Sequence, residues 1–500
     1  MHISQSDVFT ALSQLAPQKV WQHFHAISQI PRGSLNEQQI SAFVRDFGHR
    51  LGLSVFADAI GNVIIKKPAT QGMQGCKTVA LQSHLDMVQQ KMGGLKFDFT
   101  QQGIELLLEG DWIRANDTTL GADNGIGVAM AMAVLGSQDI AHPAIEAVFT
   151  VDEERGMTGA EALKPEYLQA EIMLNLDMES DHELTIGCAG GVDVLLHGTY
   201  TTTVLSEDKQ VIELKVDGGL GGHSGLDIHL KRMNGIKVLA DVIEQLAQSM
   251  PLELVAFNGQ GVANVIPAKA RASIAISPEN QSELDVLIEQ LNEDVLGPYR
   301  AQEPRVKLSC KSTTLPSEQV TVALEQSFTQ ALLSAVKKVP HGVSTMSPDV
   351  EGLVETSNNL ASVVAQNGQF NAVCFTRTCV PSDEPKMVAC ISESFAPTQA
   401  VVSTANGYPG WQPNADNQIT QLMRQTYADI FAVEPGIIAI HAGLECGILS
   451  NTYPNMQIIS YGPNIENAHS PKERVQVSSV QKVWQVLVNV LGNIPHQGVN

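Results

Sequence analysis

Strand and helix patterns alternate along the first ~190 residues, break off, and resume after Pro397; this interruption constrains the fold more than any other feature. Alternating strands and helices build a mainly parallel sheet with helices packed on it. Helical periodicity runs from Val20 to Ile30 and from Glu37 to Leu51, and strand patterns cover Asn62 to Lys66 and Thr78 to Ser83. A helix is expected from Asn124 to Leu135, opened by Asp123 and Asn124, both good N-cap types. Strands follow from Ala144 to Val151 and from Glu171 to Leu176. From Gly190 the texture changes: strands Val211 to Val216 and Ala270 to Ile276 alternate with helices Met233 to Ser249 and Glu283 to Val295. Strand-like and helical stretches recur between Arg305 and Ile391, which allows two similar halves without a sequence repeat to prove them. After Pro397 come a helix (Gln418 to Phe431), a strand (Met456 to Ser460) and a closing helix (Val477 to Leu491). At 500 residues the chain is too long for one compact core. The expected architecture is one discontinuous α/β domain, residues 1–190 and 400–500, interrupted by an α+β domain, residues 191–399.

Acidic residues outnumber basic ones, 53 to 31, for a formal charge of −22. Such a surface repels phosphate backbones and anionic lipid, so neither nucleic acid nor membrane is an expected partner. The amino terminus lacks the basic start and apolar run of a secretory signal, and the best apolar stretch, Val128 to Leu135, is far too short to span a bilayer. Seven scattered cysteines without a Cys-x-x-Cys pair read as thiols of a reducing compartment. A soluble, cytoplasmic protein is expected.

Five polar clusters carry the chemistry. Ser83-His84-Leu85-Asp86 ends an apolar strand; residues two apart in extended chain share a face, so Asp86 can hold one ring nitrogen of His84 and leave the other for a metal. Thr118-Thr-Leu-Gly-Ala-Asp123-Asn-Gly-Ile-Gly opens the expected helix, and its glycines permit close backbone approach. Thr150-Val-Asp-Glu153-Glu154-Arg-Gly156 follows a strand, and in extended backbone its two glutamates would face opposite sides. Asn175-Leu-Asp177 ends another strand, and His469 lies in Ile465-Glu-Asn-Ala-His469-Ser-Pro before the last helix. Taken singly, each is explained as a cap, a hydrogen-bonded pair or a solvated surface. Together they bring imidazoles and carboxylates to the ends of several strands, the edge where open α/β sheets bind ligands. Imidazole with carboxylate and no thiolate suits zinc, cobalt or manganese.

The ordered set HLD, GADNG, DEE, NLD and AHSP resembles the co-catalytic zinc exopeptidases, the aminoacylase and carboxypeptidase-like family. The blocks QIPRGS, LQSHLDMV, TTLGADNGIGVAMAMAVL, TVDEERGMTGA and LTIGCAGG resemble its bacterial aminoacyl-histidine dipeptidase branch, along essentially the whole chain. The stretch Glu179-Ser-Asp-His-Glu departs from a run expected to be more acidic. The resemblance implies a phosphorylase/hydrolase-like di-zinc exopeptidase domain with an inserted lid. It implies two divalent ions, zinc first with cobalt or manganese as substitutes: His84 and Asp177 on one, Glu154 and His469 on the other, and Asp123 bridging. Asp86 would orient His84 and Glu153 would be the general base. His223 of Asp217-Gly-Gly-Leu-Gly-Gly-His223-Ser-Gly225 would reach the substrate carbonyl from the lid, in its own subunit or a neighbour's. That glycine-rich stretch lacks the spacing and basic partner of a phosphate loop. Asn264, Arg377 and Gly443 would meet the substrate, the first two at its carboxylate.

The implied activity is a metal-dependent dipeptidase acting on unblocked L-dipeptides, including Xaa-His dipeptides such as carnosine, in a homodimer. Aspartate at position 177 accompanies aminopeptidases and dipeptidases in the family, which favours substrates with a free amine. The rivals are an N-acyl amino acid deacylase or general aminopeptidase of the same fold, and a non-catalytic protein that has kept it. The last would be expected to lack the base or a ligand, and all are present. A serine hydrolase is disfavoured because no Gly-x-Ser-x-Gly occurs.

Overall fold

The computed structural model describes residues 10–313, 322–348, 350 and 352–498. The chain divides into two compact units, one of Met1–Gly187, Pro413–Ala439 and Leu444–Asn500, the other of Cys188–Gln412 and Ile440–Gly443. The second crossing falls after Gln412 and not at 400, because strand Val401–Tyr408 pairs antiparallel with Gly190–Thr199 and so belongs to the second unit's sheet. Residues 440–443 also return to that unit, where Ala189 N–H donates to the Ile440 carbonyl at 3.0 Å.

The first unit holds an eight-stranded sheet in the order Ser54–Ala57, Val63–Lys67, Ile145–Thr150, Val79–His84, Ile172–Asn175, Gln457–Ser460, Glu183–Cys188, Gly436–Ile440. It is mixed: the four inner strands from Ile145–Thr150 to Gln457–Ser460 are parallel, and the flanking pairs at Val63–Lys67 and Thr185 are antiparallel. The inner strands are buried on both faces, as a near-continuous apolar sequence requires. Helix Ala122–Gly136 crosses over between Val79–His84 and Ile145–Thr150. Its run Ile-Gly-Val-Ala-Met-Ala-Met-Ala-Val-Leu is apolar on every side, and the helix is buried all round, packed against Gln18–Ser28 and Val79–His84. The closing helix Val477–Gly492 instead buries one stripe: Val480, Val483, Val486, Leu487, Val490 and Leu491.

Among the described residues the second unit has a nine-stranded antiparallel sheet; eight strands resolve into two βαββαβ halves, one nested inside the other, and the ninth, Gly342–Met346, pairs with Val354–Gln366. The outer half is Gly190–Thr199, Gln326–Lys338, Val354–Gln366, Gln369–Thr378, Glu384–Phe395 and Val401–Tyr408. The inner half is Gln210–Asp217, Gly235–Ser249, Glu253–Gly259, Ala270–Ile276, Gln281–Asp294 and Lys307–Thr313. They join where Glu253–Gly259 pairs with Val354–Gln366. Where the inner half leaves and returns, Thr202–Val204 pairs with Val322–Leu324.

Among the described residues no helix is long and apolar enough to cross a membrane. No disulfide joins any of the seven cysteines.

Candidate active site

In the first unit the candidate ligands collect beyond the carboxyl ends of the parallel strands. His84 is the last residue of its strand, Glu153 and Glu154 follow Ile145–Thr150, and Asp177 follows Ile172–Asn175. Asp123 comes from the crossover loop, at the mouth of the buried helix. Helical dihedrals begin only after Asn124, and the Asp123–Asn124 peptide bond is cis. Asn124 Nδ2 donates to the Leu176 carbonyl at 2.6 Å, tying the Asp123 loop to the segment that carries Asp177. His469, at φ 61°, lies in a hairpin between short strands Ile465–Glu466 and Arg474–Gln476, which lean on Trp112–Ala115.

These side chains meet at Asp123. His84 Nε2 lies 3.0 Å from Asp123 Oδ1 and 3.2 Å from Asp177 Oδ1. His469 Nε2 lies 3.0 Å from Asp123 Oδ2 and 3.0 Å from Glu154 Oε2. Thus one carboxylate turns one oxygen to each imidazole, and each imidazole faces a second carboxylate. The ligand atoms of His84, Asp123 and Glu154 fall within 4.8 Å of one another. A single ring N–H serves one acceptor well; buried Asp177 Oδ1 and Glu154 Oε1 have no hydrogen-bond partner among the described residues. A divalent cation, which accepts lone pairs from every surrounding donor, fits each cluster better than a proton does.

Asp86 is fully buried beside His84. Its Oδ1 lies 3.4 Å from His84 Nδ1, and it accepts Ser34 Oγ at 2.8 Å and the backbone N–H groups of Glu153 and Glu154 at 3.1 and 3.2 Å. Burial acts to raise its pKa, but His84 and these donors bring it down to about 2. Glu153 and Glu154 stand in one helical turn, Glu153–Gly156, and not in extended chain. They diverge because successive helical residues are about 100° apart. Glu154 turns to His469, while Glu153 Oε2 is 4.0 Å from His84 Nε2. Burial, with repulsion from Asp177, Glu445 and Glu154, raises the Glu153 carboxyl well above the usual range.

The second unit gathers the remaining candidates. His223 Nδ1 accepts the backbone N–H groups of Gly225 and Leu226 at 3.2 and 3.0 Å. This fixes the neutral tautomer with the proton on Nε2, and burial with the nearby Arg377 charge lowers the ring's pKa. The Asn264 loop runs alongside: Ser224 N–H donates to the Asn264 carbonyl at 2.8 Å, and His223 bridges Val265. Arg377 is 4% exposed, bonds Tyr408 through Nη1 at 2.9 Å, stacks on Phe375, and leaves Nε without a partner among the described residues. No carboxylate pairs with this buried cation among the described residues. A side chain at Gly225 would strike the His441 carbonyl and crowd Arg377 Nε and His223; one at Gly443 would strike the Tyr408 ring.

Three buried charged residues near the first cluster escaped the sequence reading: Arg32, Glu445 and Glu473. Glu445 ends a polar chain one layer beneath the ligands. Ser460 Oγ donates to Asn175, Asn175 to Gln82, and Gln82 Nε2 to Glu445 Oε2 at 2.6 Å, with Thr150 Oγ1 donating at 2.8 Å from the other side. Burial raises the Glu445 carboxyl to about 8. The sequence signals are slight: a charge two residues after Gly443, another four after His469, and an arginine within the QIPRGS block that had no role assigned to it.

The model of peptidase family M20/M25/M40 matches residues 80–493. The cytosol non-specific dipeptidase of Escherichia coli (strain K12) is 36% identical over 484 residues, 97% of this chain and 99% of that protein. The crystal structure of aminoacylhistidine dipeptidase from Vibrio alginolyticus superposes with a TM-score of 0.90 at 36% identity, covering 97% of this chain and 99% of that one. The aminopeptidase PepT of Bacillus cereus shares the fold at 17% identity and a TM-score of 0.57, covering 96% and 99%. With a family model spanning both units and a relative matched nearly end to end, the chain belongs to peptidase family M20/M25/M40.

Proposed function

We propose that the chain is a metal-dependent dipeptidase hydrolysing unblocked L-dipeptides, Xaa-His dipeptides among them. The observation that carries this is Asp123, one oxygen toward His84 and the other toward His469, in a chain that aligns over nearly its full length with a dipeptidase. His84, Asp123 and Asp177 would hold one divalent ion, and Asp123, Glu154 and His469 the other, zinc before cobalt or manganese. Ions bound there supply Lewis acidity and bring the pKa of water toward about 7.

The chain's own residues then divide the work. Glu153 takes the proton of the attacking water and delivers it to the departing amine. Asp86 keeps the Glu153–Glu154 turn and His84 in register. His223, neutral with its proton on Nε2, donates to the oxygen of the scissile carbonyl as negative charge develops there. The buried Arg377, with Asn264, takes the substrate α-carboxylate, and Gly443 leaves room beside Tyr408. A homodimer in the cytosol, the compartment in the name of the Escherichia coli relative, completes the proposal.

The test is kcat/KM for Ala-His, Ala-Ala-His, acetyl-Ala-His and Ala-His-amide. A tripeptide or amide leaves Arg377 buried without its anion, a penalty of several kcal/mol. At 1.36 kcal/mol per decade, discrimination of about 10² or more is expected. Comparable values across the four would replace the dipeptidase with an open-groove aminopeptidase or a deacylase.

A further inference from the structure

Asp123 lies on a loop whose main chain is held from two directions by buried ions that are not ligands. Glu473 is 2% exposed, and its two oxygens accept four consecutive backbone N–H groups. Oε2 takes Leu120 and Gly121 at 2.7 and 3.0 Å; Oε1 takes Ala122 and Asp123 at 2.8 and 3.4 Å. Arg32, also 2% exposed, donates Nη1 to the carbonyls of Leu85 and Asp86 at 3.0 and 2.9 Å, and Nη2 to the carbonyl of Gly121. Gly121 has φ +69°, and a Cβ there would collide with Arg32 and Met87. Both ions therefore hold the loop on its observed path.

Each ion also joins two ligand-bearing segments. Arg32 links the end of the His84 strand, through Leu85 and Asp86, to the Asp123 loop. Glu473 sits four residues beyond His469 on the same hairpin, so that hairpin grips Asp123 twice: through the ring of His469 at the side chain, and through Glu473 at the backbone. No side-chain partner binds either ion directly among the described residues; their hydrogen bonds go to main chain around the candidate ligands. A buried carboxylate and guanidinium spent on backbone groups are costly unless the groups they fix must be placed accurately.

We propose that Glu473 and Arg32 are positioning residues that hold the Asp123 carboxylate in its bridging attitude and so set the affinity of the two-ion centre. This rests on the metal-centre assignment above. Glu473→Gln keeps the size but turns an NH₂ toward two of the four N–H groups. Arg32→Lys keeps the charge, but one ammonium cannot span three carbonyls. Loss of such an outer partner commonly weakens metal binding about 10–100-fold.

The experiment is titration of metal-stripped protein with zinc against a chromophoric chelator, with turnover of Ala-His followed at rising zinc. Glu473→Gln is expected to raise the apparent Kd by about 10–100-fold, and excess zinc is expected to recover most of its lost turnover. Glu466→Gln, an exposed carboxylate on the same hairpin, is the control and is expected to leave Kd unchanged. An unchanged Kd in Glu473→Gln, an equal loss in Glu466→Gln, or a loss of turnover that excess zinc does not relieve would overturn the proposal. If Glu473→Gln does not fold, Arg32→Lys decides by the same criteria. A parent protein that binds no divalent ion would instead overturn the metal-centre assignment itself.

Discussion

Glu153 and Asp123 both face His84 Nε2, at 4.0 and 3.0 Å, yet removing their charges is expected to leave opposite signatures. Glu153→Gln should abolish turnover and keep the metal, since Glu153 is assigned to the water and not to the ions. Asp123→Ala should lose metal, since both clusters share its carboxylate. Metal analysis of the two variants separates the roles, and equal depletion would contradict them. His223→Ala is expected to lower kcat by about 10²–10³-fold at unchanged metal content, the usual loss for one oxyanion donor. Near-normal kcat would return His223 to a structural part. At this scale the motif residues were legible, because each sits beside glycines or at a strand end where a polar cluster interrupts apolar sequence. Arg32, Glu445 and Glu473 were not. Nothing local distinguishes a carboxylate that the fold will bury from one that solvent will cover.

At the scale of elements, helix Ala122–Gly136 matters because it presses directly on the strand ends that carry the ligands. A Cβ at Gly127 would lie 2.7 Å from the Leu176 carbonyl, which accepts Asn124 Nδ2 and so links the Asp123 and Asp177 segments, and 2.4 Å from Oδ1 of the same Asn124 amide. The backbone carbonyl cannot swing aside cheaply. Gly127→Ala is therefore expected to cost about 1–3 kcal/mol in denaturant unfolding, as overpacked cores do, and to weaken metal binding as well. Stability and affinity both at parental values would show that the contact relaxes. The helix and the long strands were readable from periodicity to within a few residues. The His469 hairpin was not, because strands of two or three residues carry no period. The turn at Glu153–Gly156 likewise leaves no trace in a four-residue window.

For the whole molecule, the expectation is that exhaustive chelation abolishes hydrolysis of Ala-His and that zinc, cobalt or manganese restores it. Full activity in metal-free protein would sink the mechanism. The interrupted α/β pattern foretold a discontinuous chain path, but the second crossing came some residues late because Val401–Tyr408 has a strand's composition in either domain. The nested halves of the second unit went unproved because they share a topology and not a sequence repeat.

The sheet order of the first unit also bears on when the proposed centre could assemble. Strand Gln457–Ser460 lies against Ile172–Asn175, and His469 follows it, whereas His84, Asp123, Glu154 and Asp177 all belong to the first part of the chain. At the usual 5–20 residues per second, a ribosome needs about 15–55 s to travel from the early strand to the late one. Through that interval four of the five assigned ligands wait without their partner histidine, while the second unit is being made. A chain that ends before His469 therefore lacks one of the five assigned ligands, and on the proposed assignment it is expected to bind metal more weakly than the full chain.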